Sequence, residues 1–248
     1  MALLLRPKRS WRAHWRHYLI VGWFNSALPF LLFGYAPLTL SAAMLSILSV
    51  TSPLWRALIT AVWQRARLGG RTLAGRALGV AGVALLVGFD RIALQPGAVF
   101  AIAASLAAAL CHAVASNYAK SARTVEPFAN AHGSMWAASL LIAPVLLAFP
   151  PAAAPTAGIV AIVAALGVVC SGLAYLLYFR LIDDIGAAPA LTVTFLVPLF
   201  GTLCGWIFLD EQVGWYTLAG AAVVIAGTAL VTGFSPRLLA LRKEAGNA

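Results

Sequence analysis

Charge is what this chain has least of. Only 10% of its 248 residues are Asp, Glu, Lys or Arg, and just seven are acidic. Soluble domains carry about 25% charged residues. With 62% hydrophobic residues, the chain cannot dress a surface for water, and the lipid bilayer is its natural solvent. Lysine occurs only as Lys8, Lys120 and Lys243. None sits in a Gly-rich phosphate loop, which excludes an ATP-driven reading. Cys111, Cys170 and Cys204 lie far apart inside apolar runs. They offer neither a disulfide framework nor metal spacing and read as small buried hydrophobes. No metal and no cofactor is expected. No carboxylate falls deep in an apolar run, so a proton relay through Asp or Glu has no support. A lipid-modifying membrane enzyme would need clustered His, Asp or Glu at the interface. The nearest approach to that is Asp183-Asp184 beside Arg180, with no histidine close in sequence. The chain is therefore not read as an enzyme, and no residue is read as catalytic.

Long apolar runs are what it has instead. Charge-free stretches cover His17 to Trp55, Ile92 to Ala119, Pro127 to Phe179, Ile185 to Leu209 and Gln212 to Pro236. A helix crosses a bilayer with about 20 apolar residues. The third stretch holds two such spans, divided by Pro150, Pro151 and Pro155. The run from Tyr18 to Ala36 is too long for a signal-peptide core and lacks a clean small-residue cleavage site, so it reads as a retained span. The expected fold is all-α, a polytopic integral membrane protein. Its eight transmembrane helices fall at roughly 18–37, 41–63, 70–89, 95–119, 127–149, 156–181, 186–209 and 214–234.

The net charge of +10 does not point to nucleic acid. Basic residues cluster at Arg6 to Arg16, Arg65 to Arg76 and Arg237 to Lys243, each cluster against an apolar run. Cytoplasmic loops are enriched in Lys and Arg. Placing both termini in the cytoplasm puts nearly every basic residue on that side. Arg56 then snorkels from the inner half of its span, and Arg91 alone lies outside, beside Asp90.

An internal repeat runs through the chain. A constant offset of 145 pairs Gly22 with Gly167, Ser26 with Ser171, Leu28 with Leu173, Pro53 with Pro198, and Gly69 with Gly214. It pairs Thr72-Leu73-Ala74-Gly75 with Thr217-Leu218-Ala219-Gly220, Gly82 with Gly227, and Gly88-Phe89 with Gly233-Phe234. The charges do not match: Arg65, Ala66 and Arg67 stand opposite Asp210, Glu211 and Gln212. Five spans separate the copies. An odd number inverts the second copy, so a basic inner loop becomes an acidic outer one. Inverted-topology repeats are typical of secondary transporters. The organisation expected is a basic cytoplasmic N-terminus over 1–17, a partial first repeat of three helices over 18–89, a second repeat of five helices over 95–234, and a basic cytoplasmic tail over 235–248. The two leading helices of the second copy, at 95–119 and 127–149, have no counterpart upstream of the first copy. Either the start is truncated or this is a genuine eight-span form.

The second copy also resembles a known family. An aromatic-rich helix ends in a basic residue (Tyr175, Tyr178, Arg180), and small residues follow (Ala187, Ala188). A helix with a central proline comes next (Pro198), then a loop acid (Glu211), then Gly220 and Gly227 in the last helix. This order is similar to that of EamA-type transporters of the drug/metabolite transporter superfamily. The first copy fits through Pro53, Gly75 and Gly82 but has Ala66 in place of the loop acid. The resemblance covers about residues 18–234. It implies a plasma-membrane (inner-membrane) carrier for metabolites, with a structural or gating role for Glu211.

Candidate substrate-path residues follow from polarity or helix breaks in the spans. Pro53 and Pro198 sit mid-span, where proline frees carbonyls near Ser49 and Thr194; a packing kink is the plainer reading. His112 is an ionisable group deep in a span, or else a neutral histidine bonded to a neighbouring helix. Asn25 and Tyr175 need hydrogen-bond partners at that depth and would meet substrate or each other. Trp136 is central enough to line a pore. Gly75, Gly79, Gly82, Gly220 and Gly227 read as close helix contacts.

The expected function is secondary transport of a small metabolite, amino-acid-like, drug-like or otherwise amphipathic, bound near the midplane and moved by alternating access. The partners are lipid and a small-molecule substrate; a homodimer stays open. The alternatives are a truncated relic or partner subunit and, more remotely, the lipid-modifying enzyme.

Overall fold

The computed structural model describes residues 11–63, 69–89, 96–121, 127–149, 154–174, four single positions between 177 and 193, and 196–232. All described secondary structure is helical. In chain order the helices are α1 (Trp11–Gly22), continued through a π-helical turn (Trp23–Ala27) into α2 (Leu28–Tyr35), then α3 (Ala42–Ser49), α4 (Ser52–Trp63), α5 (Gly70–Phe89), α6 (Ala98–Ser121) and α7 (Pro127–Ala148). After these come α8 (Ala157–Ala165), continued by a π segment (Leu166–Leu173), α9 (Leu196–Leu209) and α10 (Trp215–Thr232).

Among the described residues, six helical rods are long and apolar enough to cross a membrane: His14–Leu38, Ala42–Trp63, Gly70–Phe89, Ala98–Ala119, Ala129–Ala148 and Trp215–Thr232. Ala157–Cys170 and Leu196–Leu209 are apolar but shorter. The outer surface is as apolar as lipid requires: Phe100, Leu147 and Phe208 are 74%, 83% and 76% exposed. The first helix begins at Trp11 and not near residue 18, with a kink at His14. Hydropathy marks where lipid begins, not where helical hydrogen bonding begins, and His17 and Tyr18 are already buried. The cysteine reading needs correction as well. Cys111 is buried, but Cys170 and Cys204 are exposed. An apolar run in a membrane protein has a lipid side as well as a core side.

The core centres on α3. Met44, Ile47 and Leu48 are fully buried, with Leu86, Ala101 and Val224 packed around them from α5, α6 and α10. Small residues set the helix spacing. Gly201 of α9 receives Ser46 of α3, and Gly133 of α7 receives the Tyr18 ring. Ala98, Ala101, Ala108 and Ala109 of α6 are fully buried. In lipid, close backbone approach replaces the hydrophobic effect as the force between helices.

α5 and α10 form the most extensive pair, and they run antiparallel through glycines. A Cβ on Gly75 would stand 2.7 Å from the Gly227 carbonyl oxygen, and one on Gly220 would stand 3.1 Å from that of Gly82. Adding 145 to one member of a pair and subtracting it from the other turns the first contact into the second. The same operation turns Gly82 against Val224 into Gly227 against Gly79, and Gly220 against Leu86 into Gly75 against Val231.

Candidate substrate cavity

Between α1, α6 and α7 lies a cavity of about 230 Å³. Its polar lining is Asn25 and Ser26 from the π turn, Ser116 from α6, and Asn130 and Ser134 from α7. Alanines, Val21 and Met135 complete it. Local chemistry explains why space opens there. The Leu28 N–H bonds to the Trp23 carbonyl, five residues back, so this turn is wider than an α-helical one. Single π turns of this kind occur often at functional sites. Shifted by 145, Trp23–Ala27 becomes 168–172, which lies inside the second π segment. Beside the cavity, α1 and α7 touch at Gly22, where a Cβ would stand 2.7 Å from the Ser134 carbonyl oxygen.

A histidine guards one edge. His17 is 7% exposed. Its Nε2 lies 2.8 Å from Asn130 Oδ1, and its ring stacks on Tyr118 with centroids 5.4 Å apart. The sequence reading missed His17 because it closes the basic N-terminal segment, and missed Asn130 because it follows a loop. The usable signal was the spacing of His112, Ala115, Ser116 and Ala119, which puts four residues on one face of α6.

Of the expected path residues, the structure brings Asn25 into this cavity. His112 stands one turn beyond it on the same face of α6, stacked on Phe33 of α2 with centroids 6.2 Å apart. Trp136 is not a lining residue: it is 55% exposed, and its indole N–H donates to His132 at 3.2 Å. At the neighbouring positions, Ser134 and Met135 face the cavity instead. Tyr175 and Thr194 lie outside the described residues.

Pro53 sits in the first turn of α4, just after the break between α3 and α4. A proline there gives up an amide that would have had no helical partner anyway. The freed carbonyls are taken by hydroxyls. Thr51 Oγ1 donates to Leu48 O at 2.7 Å, Ser52 Oγ to Ser49 O at 2.8 Å, and Thr228 Oγ1 to Val50 O at 3.4 Å. The break is therefore satisfied from within and tied to α10. Pro198 is buried in the first turn of α9.

Glu211 makes a contact of a different kind. Its carboxylate accepts from the Ala42 N–H at 2.6 Å and the Ala43 N–H at 3.2 Å. Ser41 Oγ accepts from the Met44 N–H at 3.1 Å, and the Ser41 carbonyl from the Leu45 N–H at 3.0 Å. Three of the four amides that a helix start leaves open, those of Ala42, Ala43 and Met44, are thus engaged at α3, and the Leu45 N–H makes the first bond within the helix. Two features aim the carboxylate. Asp210 adopts a left-handed φ of 52°, and the Glu211 N–H turns back to the Gly205 carbonyl at 3.1 Å. Gly205 leaves room where any side chain would collide with the Glu211 carboxylate. This contact lies at the end of the bundle opposite the cavity. The cavity sits at the π turn that follows α1, near the end of α6 and the start of α7, whereas Ala42 follows the end of α2.

The sequence profile of the EamA-like transporter family matches residues 1–88 and again 99–233. The chain belongs to the EamA-like transporter family. It is similar to the permease-like protein YdzE of Bacillus subtilis (strain 168), with 36% identity over 66 residues, or 27% of this chain and 85% of that protein. A solved crystal structure shares the fold with a TM-score of 0.60 and 21% identity, over 96% of this chain and 80% of that one. The protein is a multi-pass membrane transporter, and its family points away from an enzyme.

Proposed function

We propose that the chain is a secondary transporter of a small amphipathic metabolite, working by alternating access from the cavity between α1, α6 and α7. The observation that carries this is the coincidence of polar lining and helix irregularity. Two amides and three hydroxyls converge at a π turn, at a depth where unpaired polar groups are costly. The cavity volume of about 230 Å³ falls below the roughly 300–1,000 Å³ of drug-sized sites, which favours a metabolite over a drug. Eight spans arranged as an inverted repeat of three plus five helices are part of this reading. The reciprocal contacts of α5 with α10 and the two π segments at offset 145 support it. Basic clusters at both ends favour cytoplasmic termini in the plasma membrane. Glu211 then closes the outer side while the cavity faces inward.

Uptake of a panel of radiolabelled small metabolites into proteoliposomes tests this. Asn25→Ala is expected to abolish uptake of the transported compound, while Gly34→Ala, whose added methyl group would meet open space, leaves it intact. Unchanged uptake in Asn25→Ala removes the cavity from the path. If no compound moves at all, the relic reading takes over.

A further inference from the structure

The cavity holds two amides and three hydroxyls and, among its lining residues, no Asp, Glu, Lys, Arg or His. An ion entering such a site would leave its hydration behind and find no countercharge among the described lining residues, which counts heavily against it. Hydrogen bonds are what the site offers. Their polarity is set from outside by His17. As the amide is placed, Asn130 Oδ1 faces His17 Nε2 at 2.8 Å; an amide oxygen only accepts, so this pairing takes the tautomer with its proton on Nε2. Among the described residues, His17 Nδ1 is buried without a hydrogen-bond partner, so Nε2 is the ring nitrogen that meets the amide. Stacking on Tyr118 and burial hold the ring in place. With its oxygen occupied by His17, the Asn130 side chain has its NH₂ group left to serve the cavity it lines. Ser134, the neighbour on α7, gives its hydroxyl hydrogen to the Ala131 carbonyl at 3.1 Å and cannot substitute.

We propose that the cavity binds a small solute without net charge through carbonyl or hydroxyl oxygens, and that His17 is the positioning residue that turns the Asn130 amide so that its NH₂ group receives them. This rests on the transporter reading for its purpose but not for its test.

The full chain is reconstituted with Cys111, Cys170 and Cys204 replaced by alanine and with Ala119→Cys on the cavity wall. Alkylation of that thiol by N-ethylmaleimide is timed in the presence of acetamide, glycerol, lactate or methylammonium. A bound probe slows the reaction by the factor 1 + [L]/Kd, or about tenfold at a probe concentration ten times Kd. Protection is expected from acetamide or glycerol and not from lactate or methylammonium. Adding Asn130→Leu or His17→Leu removes it. Adding His17→Gln keeps it, because a glutamine amide can still donate to Asn130 Oδ1; a loss of fold would not be rescued in this way. Protection by the charged probes alone, protection by none, or equal loss in His17→Gln and His17→Leu overturns the proposal. Uptake of the same probes is measured separately. Protection without uptake sinks the transporter reading and leaves the site standing. Uptake of a charged probe without protection does the reverse.

Discussion

Gly227→Ala is the sharpest test of how this bundle is held. A Cβ at that position would stand 2.5 Å from the Gly75 carbonyl oxygen and 2.7 Å from the Gly79 nitrogen. Both are backbone atoms and cannot rotate away. Relief to 3.0 Å, below which real Cβ contacts are essentially never seen, requires α5 and α10 to part by about 0.5 Å, and such overpacking costs about 1–3 kcal/mol. Replacing a helical glycine by alanine returns up to about 1 kcal/mol of propensity. The net loss expected is about 1–2 kcal/mol, with the overpacking cost at the upper end of its range because two backbone atoms are struck at once. Gly220→Ala is the informative comparison. Its nearest contacts are 3.1 Å from the Gly82 oxygen and 3.1 Å from the Leu86 Cβ, where overpacking and propensity nearly cancel, for a net change near ~0 kcal/mol. Gly88→Ala, with nothing within 4 Å, should be neutral or stabilising. Unfolding in mixed micelles titrated with SDS, followed by tryptophan fluorescence, gives all three free energies. If Gly227→Ala proves as stable as Gly220→Ala, the closeness of this helix pair does not carry the energy assigned to it.

Three further substitutions probe other joints. Thr228→Val removes the hydroxyl that donates to the Val50 carbonyl at the α3–α4 break; a buried acceptor left unsatisfied costs about 1–3 kcal/mol, read in the same micelle titration. Asn117→Leu cuts the link from α6 to Thr60 and the Arg56 carbonyl of α4, and a loss of about 1–2 kcal/mol should appear with no change in which solutes are transported. Glu211→Ala strips the charged cap from Ala42 and Ala43, a loss of about 1.5–3 kcal/mol for hydrogen bonds to a charged group, and should speed labelling of a thiol placed at Ser46 by an impermeant reagent.

Hydropathy and small residues made much of this architecture legible. α5 was expected at 70–89 and spans Gly70–Phe89, because a charge cluster and a short link bound it sharply. The start of α1 was not legible, since Trp11–His17 is polar enough to look like loop and yet helical. Lipid contact and hydrogen bonding begin at different residues there. Of the cavity, Asn25 could be read because a lone amide in an apolar run must find a partner. Asn130 and His17 could not, because each borders a polar segment and the two meet only when α1 packs on α7. Trp136 misled for a related reason: depth along a span is readable from sequence, but the face it presents is not when the helix is apolar all round.

Glu211 has one consequence that the offset makes testable. The offset of 145 pairs it with Ala66, and pairs Ala42 and Ala43 with Ala187 and Ala188; positions 66, 187 and 188 lie outside the described residues. On the inverted-repeat reading, each half would latch a helix start of the other, yet only one half has the carboxylate. A charge-assisted cap contributes about 1.5–3 kcal/mol, and every 1.4 kcal/mol is about a tenfold shift in population. On that reading, the missing acid would bias the protein toward a state closed at Glu211 and open at the opposite, cavity-bearing side. Ala66→Glu should restore the balance. Alkylation of an Ala119→Cys thiol by an impermeant reagent, applied from the side of the N-terminus, should slow about twofold, as the open population falls from nearly all of the protein to about half. Combining Ala66→Glu with Glu211→Gln should slow it further, because the bias is then reversed. If Ala66→Glu leaves the rate where it was while Glu211→Gln alone changes it, the two positions are not symmetry mates; if neither changes it, Glu211 caps α3 for stability without gating.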